Sequence, residues 1–196
     1  MTLFEYDSEI RKLHPIIVGA DEAGRGPLAG DVYAAAVILP PDLIIDGVND
    51  SKKLTEKKRE QLFDEIISKA EAYCIATATV AEIEEINILN AAMLAMKRAI
   101  EGLGKPYDVA LIDGNKTPDV PNSEAVVKGD ATSQTIAAAS ILAKVARDRY
   151  MCDLDKKYPE YQFSKHKGYG TKLHYDMIRE YGPSPVHRMS FLKKMH

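Results

Sequence analysis

The sequence predicts an α/β fold, a mixed β-sheet flanked by helices, with a small helical segment at its C-terminal end. Three observations carry that prediction. Short apolar or alternating runs recur at residues 15–20, 31–39, 72–80, 109–112 and 125–127, the lengths and patterns of strands. Stretches with apolar residues at helical spacing lie between and after them, at 55–70, 82–102 and 131–151. Their order along the chain lets helices cover a sheet in which some neighbours run parallel.

Each element has its own signal. Residues 15–20 (PIIVGA) are a short apolar run that stops at Asp21. After the loop Gly24-Arg25-Gly26-Pro27, residues 31–39 (DVYAAAVIL) continue as a second strand until Pro40 and Pro41 end it. Leu62, Phe63, Ile66 and Ile67 give residues 55–70 one apolar face among lysines and glutamates. Residues 72–80 (AYCIATATV) alternate and favour the extended state. Ile83, Ile86, Leu89, Ala92, Met93 and Met96 recur at helical spacing over 82–102, a core stripe that Gly102 and Gly104 stop. Val109 to Ile112 lead into Asp113-Gly114, and Ala125 to Val127 into Lys128-Gly129-Asp130. The helix over 131–151 is nearly all apolar in its first half, as a helix buried on most sides must be. Residues 1–151 therefore read as one α/β domain, and 152–196 as two or three short helices packed on it.

Composition narrows the partners. No apolar run approaches the roughly 20 residues that span a bilayer, and residues 1–15 lack the apolar centre of a secretory signal. Cys74 and Cys152 are the only cysteines and have no metal-ligand or disulfide spacing, which points to a reducing cytoplasm. The net charge of −3 is divided unevenly: residues 141–196 hold twelve Lys and Arg against six Asp and Glu, and residues 1–140 hold fourteen against twenty-three. An acidic body with a basic C-terminal quarter suits a protein that gathers carboxylates in one place and grips phosphate in another.

The acids fall where such a body would use them. Asp21 and Glu22 follow the first strand, Asp113 ends a later one, and Asp130 stands between a short strand and the long helix. Ligands collect at strand ends in open α/β sheets. Carboxylates brought together there repel one another unless a cation neutralises them, and an all-oxygen set selects a hard ion such as Mg²⁺ or Mn²⁺. Each acid also has a plainer reading: Asp130 as the N-cap of the long helix, Asp113 as part of a turn, and Asp21 and Glu22 as solvated loop residues. Adjacent strand residues point to opposite faces, so Asp21 and Glu22 share a site only if the strand twists or ends there. There is no GxSxG elbow and no HExxH pair, which disfavours acyl transfer and zinc proteolysis.

Longer motifs then carry a resemblance. Residues 19–30 (GADEAGRGPLAG), 49–54 (NDSKKL), 113–115 (DGN), 128–131 (KGDA), 136–148 (IAAASILAKVARD), 166–171 (HKGYGT) and 185–191 (PVHRMSF) together resemble the blocks of the bacterial ribonuclease HII family, in order, from about residue 17 to 191. The resemblance implies an RNase H-like fold and a four-carboxylate site of Asp21, Glu22, Asp113 and Asp130 that holds Mg²⁺ or Mn²⁺, two ions during catalysis. It implies an endonuclease that hydrolyses the RNA strand of RNA/DNA hybrids and incises 5′ to single ribonucleotides in duplex DNA, leaving a 5′-phosphate and a 3′-hydroxyl. Its partner is nucleic acid, with no membrane, and the expected state is a monomer. Gly24, Arg25 and Gly26 are candidates to read the 2′-hydroxyl, because glycines let backbone approach a sugar and Arg25 can fork onto phosphate. Tyr169, between two glycines and beside His166 and Lys167, is a candidate to stack on a sugar or base. Lys52 is a candidate phosphate contact. Lys144 and Arg147 are expected to pair with acids, and His187 and Arg188 to brace the C-terminal helix. Two alternatives remain: a non-catalytic nucleic-acid binder on this fold, which would need a broken carboxylate set, and ribonuclease HIII-like specificity, against which the Gly-Arg-Gly loop speaks.

Overall fold

The computed structural model describes residues 1–195. Five strands form one sheet: β1 (Ile17–Ala23), β2 (Val32–Ile38), β3 (Ala72–Ala78), β4 (Val109–Asp113) and β5 (Ser123–Val126), in the spatial order β3-β2-β1-β4-β5. The β1–β2 and β2–β3 pairs are antiparallel, and β1–β4 and β4–β5 are parallel. The mixed sheet read from the sequence is therefore present.

The helices are α1 (Leu3–Arg11), α2 (Glu56–Lys69), α3 (Val80–Gly102), α4 (Gln134–Lys157), α5 (Phe163–His166) and α6 (Lys172–Tyr181). Helix α3 packs on one face of the sheet, where Val18, Ala20, Ala34, Ala36 and Ile112 meet Ala92, Ala95, Met96 and Ala99. On the other face, Ala35 and Val37 meet Ala138, Ala139 and Leu142 of α4 together with Leu62 and Ile66 of α2. Each fully buried Leu, Ile or Met here contributes roughly 1.5–3 kcal/mol, while the alanines let backbones approach. The closest approach to another segment's backbone falls at Gly19, where an added Cβ would lie 2.3 Å from the main-chain carbon of Thr135. Nothing larger than glycine fits between β1 and the first turn of α4.

Three departures from the sequence reading matter. Strand β1 runs on through Asp21 and Glu22 to Ala23, because β2 keeps pairing with it as far as Ala23 and Tyr33, whereas the β4 ladder stops at Ala20 and Ile112. Helix α4 begins at Gln134 with Ser133 as its N-cap, so Asp130 is not the cap; it lies in a 3₁₀ turn, Gly129–Ala131. Helix α1, which has too few apolar residues to announce itself, exists through a capping box of Thr2 and Glu5 and through Asp7.

Asp7 is fully buried and accepts hydrogen bonds from Ser133 Oγ (2.6 Å), Thr135 N (2.8 Å) and Thr135 Oγ1 (2.7 Å). A negative group thus sits at the N-terminus of α4, where unpaired amides and the helix dipole favour it. Burial pushes its carboxyl up, against these hydrogen bonds. Asp7→Ala leaves a buried amide and two hydroxyls without that acceptor. Its expected cost is about 2–3 kcal/mol, checked by denaturant unfolding, and Asp7→Asn recovers part of it.

Candidate metal centre and nucleic-acid cleft

Strand register explains how separated acids meet. Gly19 and Leu111 are partners across the parallel β1–β4 pair. Asp21 and Asp113 each lie two residues further on, so they project from the same face of neighbouring strands, toward the α4 side. Asp130 arrives from the 3₁₀ turn before α4, and its amide donates to Asp113 Oδ1 at 3.0 Å. One carboxylate oxygen from each of Asp21, Asp113 and Asp130 lies within 4.8 Å of the others.

Such crowding disfavours the charged forms. Burial, then the charges of Glu22 and Asp113, hold Asp21 well above the usual carboxylate range. Asp130 is pushed up to about 6 by burial, then by Asp113 and Asp50, with Lys52 acting the other way. Asp50 is an acid that the sequence reading passed over as part of a lysine-rich motif; only the fold brings it to Asp130.

Glu22 differs from the three aspartates. Strand parity assigns it to the opposite face, with Ala20, and it does not join the three-oxygen group. It still borders the same cleft; its Oε1 lies 3.4 Å from Arg25 Nη1, and its Oε2 is buried with no hydrogen-bond partner among the described residues. Close carboxylates with raised pKa values and an orphaned buried oxygen are what a bound divalent cation would satisfy. The donor set, all oxygen, fits Mg²⁺ or Mn²⁺ better than zinc.

The cleft over Asp21, Glu22 and Asp113 has a volume of about 560 Å³. Gly24, Arg25, Gly26, Lys52 and Tyr169 all line it, so every candidate substrate contact borders one space. Gly24 has φ +95° and must be glycine: an added Cβ would fall 2.1 Å from Arg147 Nε. Tyr169 is 39% exposed and stands beside Gly26, with Lys144 Nζ 5.7 Å from its ring centre. Ser51, Arg59, Ser140 and Lys144 also line the cleft and had not been singled out as contacts. Lys144 does pair with an acid, Asp148, at 2.9 Å. Arg147 does not; it donates to main-chain carbonyls instead.

Below Tyr169 the C-terminal segment is tied by histidines. His187 Nδ1 accepts from Ser184 N (2.9 Å), which leaves its Nε2–H to donate to His174 Nε2 (2.9 Å). His174 Nδ1 then donates to the Tyr169 carbonyl at 2.9 Å. This chain requires both rings neutral, and burial holds His174 and His187 down at about 4. The expectation that His187 braces the C-terminal helix matches its bond to His174 in α6. Arg188 does something else, taken up below.

A mixed sheet of this order with acids converging at the end of its parallel pair defines an α/β protein with a candidate cation site. Comparison with known proteins gives the family. The family model described as Ribonuclease HII matches residues 18–194. Ribonuclease HII of Caldicellulosiruptor bescii is 57% identical over 180 residues, 91% of this chain and 87% of that protein. Ribonuclease HII of Burkholderia cenocepacia is 55% identical over 177 residues, covering 90% and 83%. Among solved structures, ribonuclease H2 from Pyrococcus horikoshii superposes with a TM-score of 0.72 at 27% identity, over 89% of this chain and 93% of that one. The chain belongs to the ribonuclease HII family and is a ribonuclease H, a nuclease that acts on nucleic acid. Among the described residues no helix is long and apolar enough to cross a membrane.

Proposed function

We propose that this enzyme hydrolyses the RNA strand of RNA/DNA hybrids and incises 5′ to single ribonucleotides in duplex DNA, by two-metal-ion catalysis that leaves a 5′-phosphate and a 3′-hydroxyl. The convergence of Asp21, Asp113 and Asp130 oxygens within 4.8 Å carries this reading. These three aspartates hold Mg²⁺ or Mn²⁺, and Glu22 completes the set with its unpartnered Oε2. When bound, the cations supply Lewis-acid activation of the attacking water and charge stabilisation at the leaving oxygen. Because Asp130 is pushed up to about 6, a cation competes with a proton there as pH falls through that value.

The rest of the cleft positions substrate. Gly24, Arg25 and Gly26 approach the ribose, and Arg25 reaches a phosphate. Tyr169 stacks on the sugar or base beside the cut, and Lys52 meets a phosphate at the rim. Residues 152–196, the first six of which continue α4, act as a substrate-binding segment packed on the catalytic domain of 1–151, their basic charge facing phosphate. The enzyme works as a monomer in the cytoplasm, where Cys74 and Cys152 stay reduced; both are free.

The test is a labelled DNA duplex with one embedded ribonucleotide. Cleavage is expected 5′ to the ribonucleotide with Mg²⁺ or Mn²⁺ and none in EDTA. Tyr169→Ala should lower kcat/KM by about ten- to a hundredfold, the worth of one stacked base, with metal affinity retained. Cleavage in EDTA, or an all-DNA duplex cut equally well, contradicts the proposal.

A further inference from the structure

Two guanidinium groups lie beneath the glycine loop with no carboxylate in salt-bridge contact among the described residues. Arg188 is 0% exposed and Arg147 1%. Arg188 donates from Nε to the Gly30 carbonyl (2.8 Å), from Nη1 to those of Arg25 (3.0 Å) and Pro27 (2.9 Å), and from Nη2 to that of Gly24 (2.6 Å). Arg147 donates to the carbonyls of Ala29 (2.8 Å), Asp31 (3.2 Å) and Lys167 (2.8 Å). Asp31 feels the charge of both, and its Oδ1 already accepts from the Val80 amide at 2.9 Å. Burying a guanidinium costs several kcal/mol. Closing a turn does not require that expense.

The hydrogen bonds show what the arrangement achieves. Carbonyls of Gly24, Arg25, Pro27, Ala29 and Gly30 are all drawn inward by the two arginines. Leu28 and Gly30 donate their amides to the carbonyls of Gly168 and Val186. The amides of Arg25 and Gly26 donate to nothing among the described residues, and both residues are exposed and line the cleft. The loop therefore offers donors to the cleft while its acceptors face away, above a buried excess of positive charge.

We propose that Arg188 is the positioning residue that sets this polarity, holding the Arg25 and Gly26 amides outward so that they bind a sugar-phosphate oxygen of the ribonucleotide. The inference rests on the reading of the Gly24–Gly26 loop as the ribose contact. Arg188 acts through the loop and touches no reacting atom. A lysine cannot replace it, because one ammonium on a flexible stem does not span four carbonyls held in a fork.

Two measurements test this. First, Arg188→Lys is assayed on the single-ribonucleotide duplex. KM is expected to rise about tenfold or more and kcat to change less than about threefold, with calorimetric Mn²⁺ affinity unchanged. An unaltered KM, or a loss confined to kcat, overturns the proposal. If the wild-type enzyme shows no preference for the ribonucleotide duplex over all-DNA, the reading of the loop fails, and the proposal with it. Second, amide hydrogen exchange of the wild-type protein needs no variant to fold. Arg25 and Gly26 should exchange freely alone and slow about tenfold or more with the ribonucleotide duplex in EDTA. Amides already protected in the free protein, or unaffected by the duplex, overturn the proposal.

Discussion

Asp130→Asn is expected to cut the cleavage rate by roughly a thousandfold, while making the metal-free protein more stable. The rate loss follows from replacing one of three carboxylates whose oxygens converge within 4.8 Å by a neutral amide; several kcal/mol of transition-state charge stabilisation depends on the cation that they would hold. The stability gain follows from the raised pKa. In the folded chain Asp130 titrates at about 6, against roughly 3.9 when unfolded. Between those values the folded state binds the extra proton, so this group favours folding below about pH 4, and that contribution is lost as pH rises through about 6. His174 and His187, held at about 4, act in the opposite direction: they disfavour folding as pH falls from about 6.5 toward 4. Thermal unfolding of wild type and Asp130→Asn across pH 4–8 in EDTA separates the two effects. The variant should match wild type at pH 4 and exceed it at pH 7. An active variant, or one less stable than wild type at pH 7 without metal, contradicts the role given to Asp130.

Gly19→Ala is expected to be severely destabilising for a single added methyl group. A Cβ there would stand 2.3 Å from Thr135 C and 2.5 Å from Ile136 N, both backbone atoms that no rotamer change can move. The strand and the first turn of α4 must separate. Overpacking of this kind costs about 3 kcal/mol or more, which lowers Tm by roughly 6–12 °C for a chain of this size. Activity should fall beyond what stability explains, because the separated segments carry Asp21, two residues after Gly19, and Asp130, four before Gln134. Differential scanning calorimetry with metal affinity measured on the same sample checks both. A Tm within 2 °C of wild type would show that α4 does not press on β1 as described.

Much of this was legible in the sequence because local signals and chemistry agreed. Asp21 and Asp113 could be read as neighbours, since each ends an apolar run that had to be a buried strand. What remained hidden depends on register and on contacts between distant segments. That β1 continues through Glu22 follows from β2 pairing on one side after β4 has left on the other, and nothing local announces it. Helix α1 was missed because its stability comes from Asp7 bonding to Ser133 and Thr135, more than 120 residues away. Ser133 was available as a helix cap all along, but Asp130 is an equally good cap by type, and only the 3₁₀ turn decides between them. Arg147 and Arg188 looked like partners for acids or braces for a helix. Neither role foreshadows a charge spent on backbone carbonyls, a choice that side-chain chemistry alone cannot reveal.

Bound divalent cations would make the acidic cluster tolerable by offsetting the repulsion among its carboxylates. A thermal-shift titration of the wild-type protein with Mn²⁺ at pH 7.5 addresses this most directly. Tm is expected to climb with Mn²⁺ concentration, by about 2.7 kcal/mol of added stability at a hundredfold excess over Kd, and the shift to vanish largely in Asp113→Asn. A Tm indifferent to Mn²⁺ and Mg²⁺, or a shift undiminished in that variant, contradicts this role for the cations.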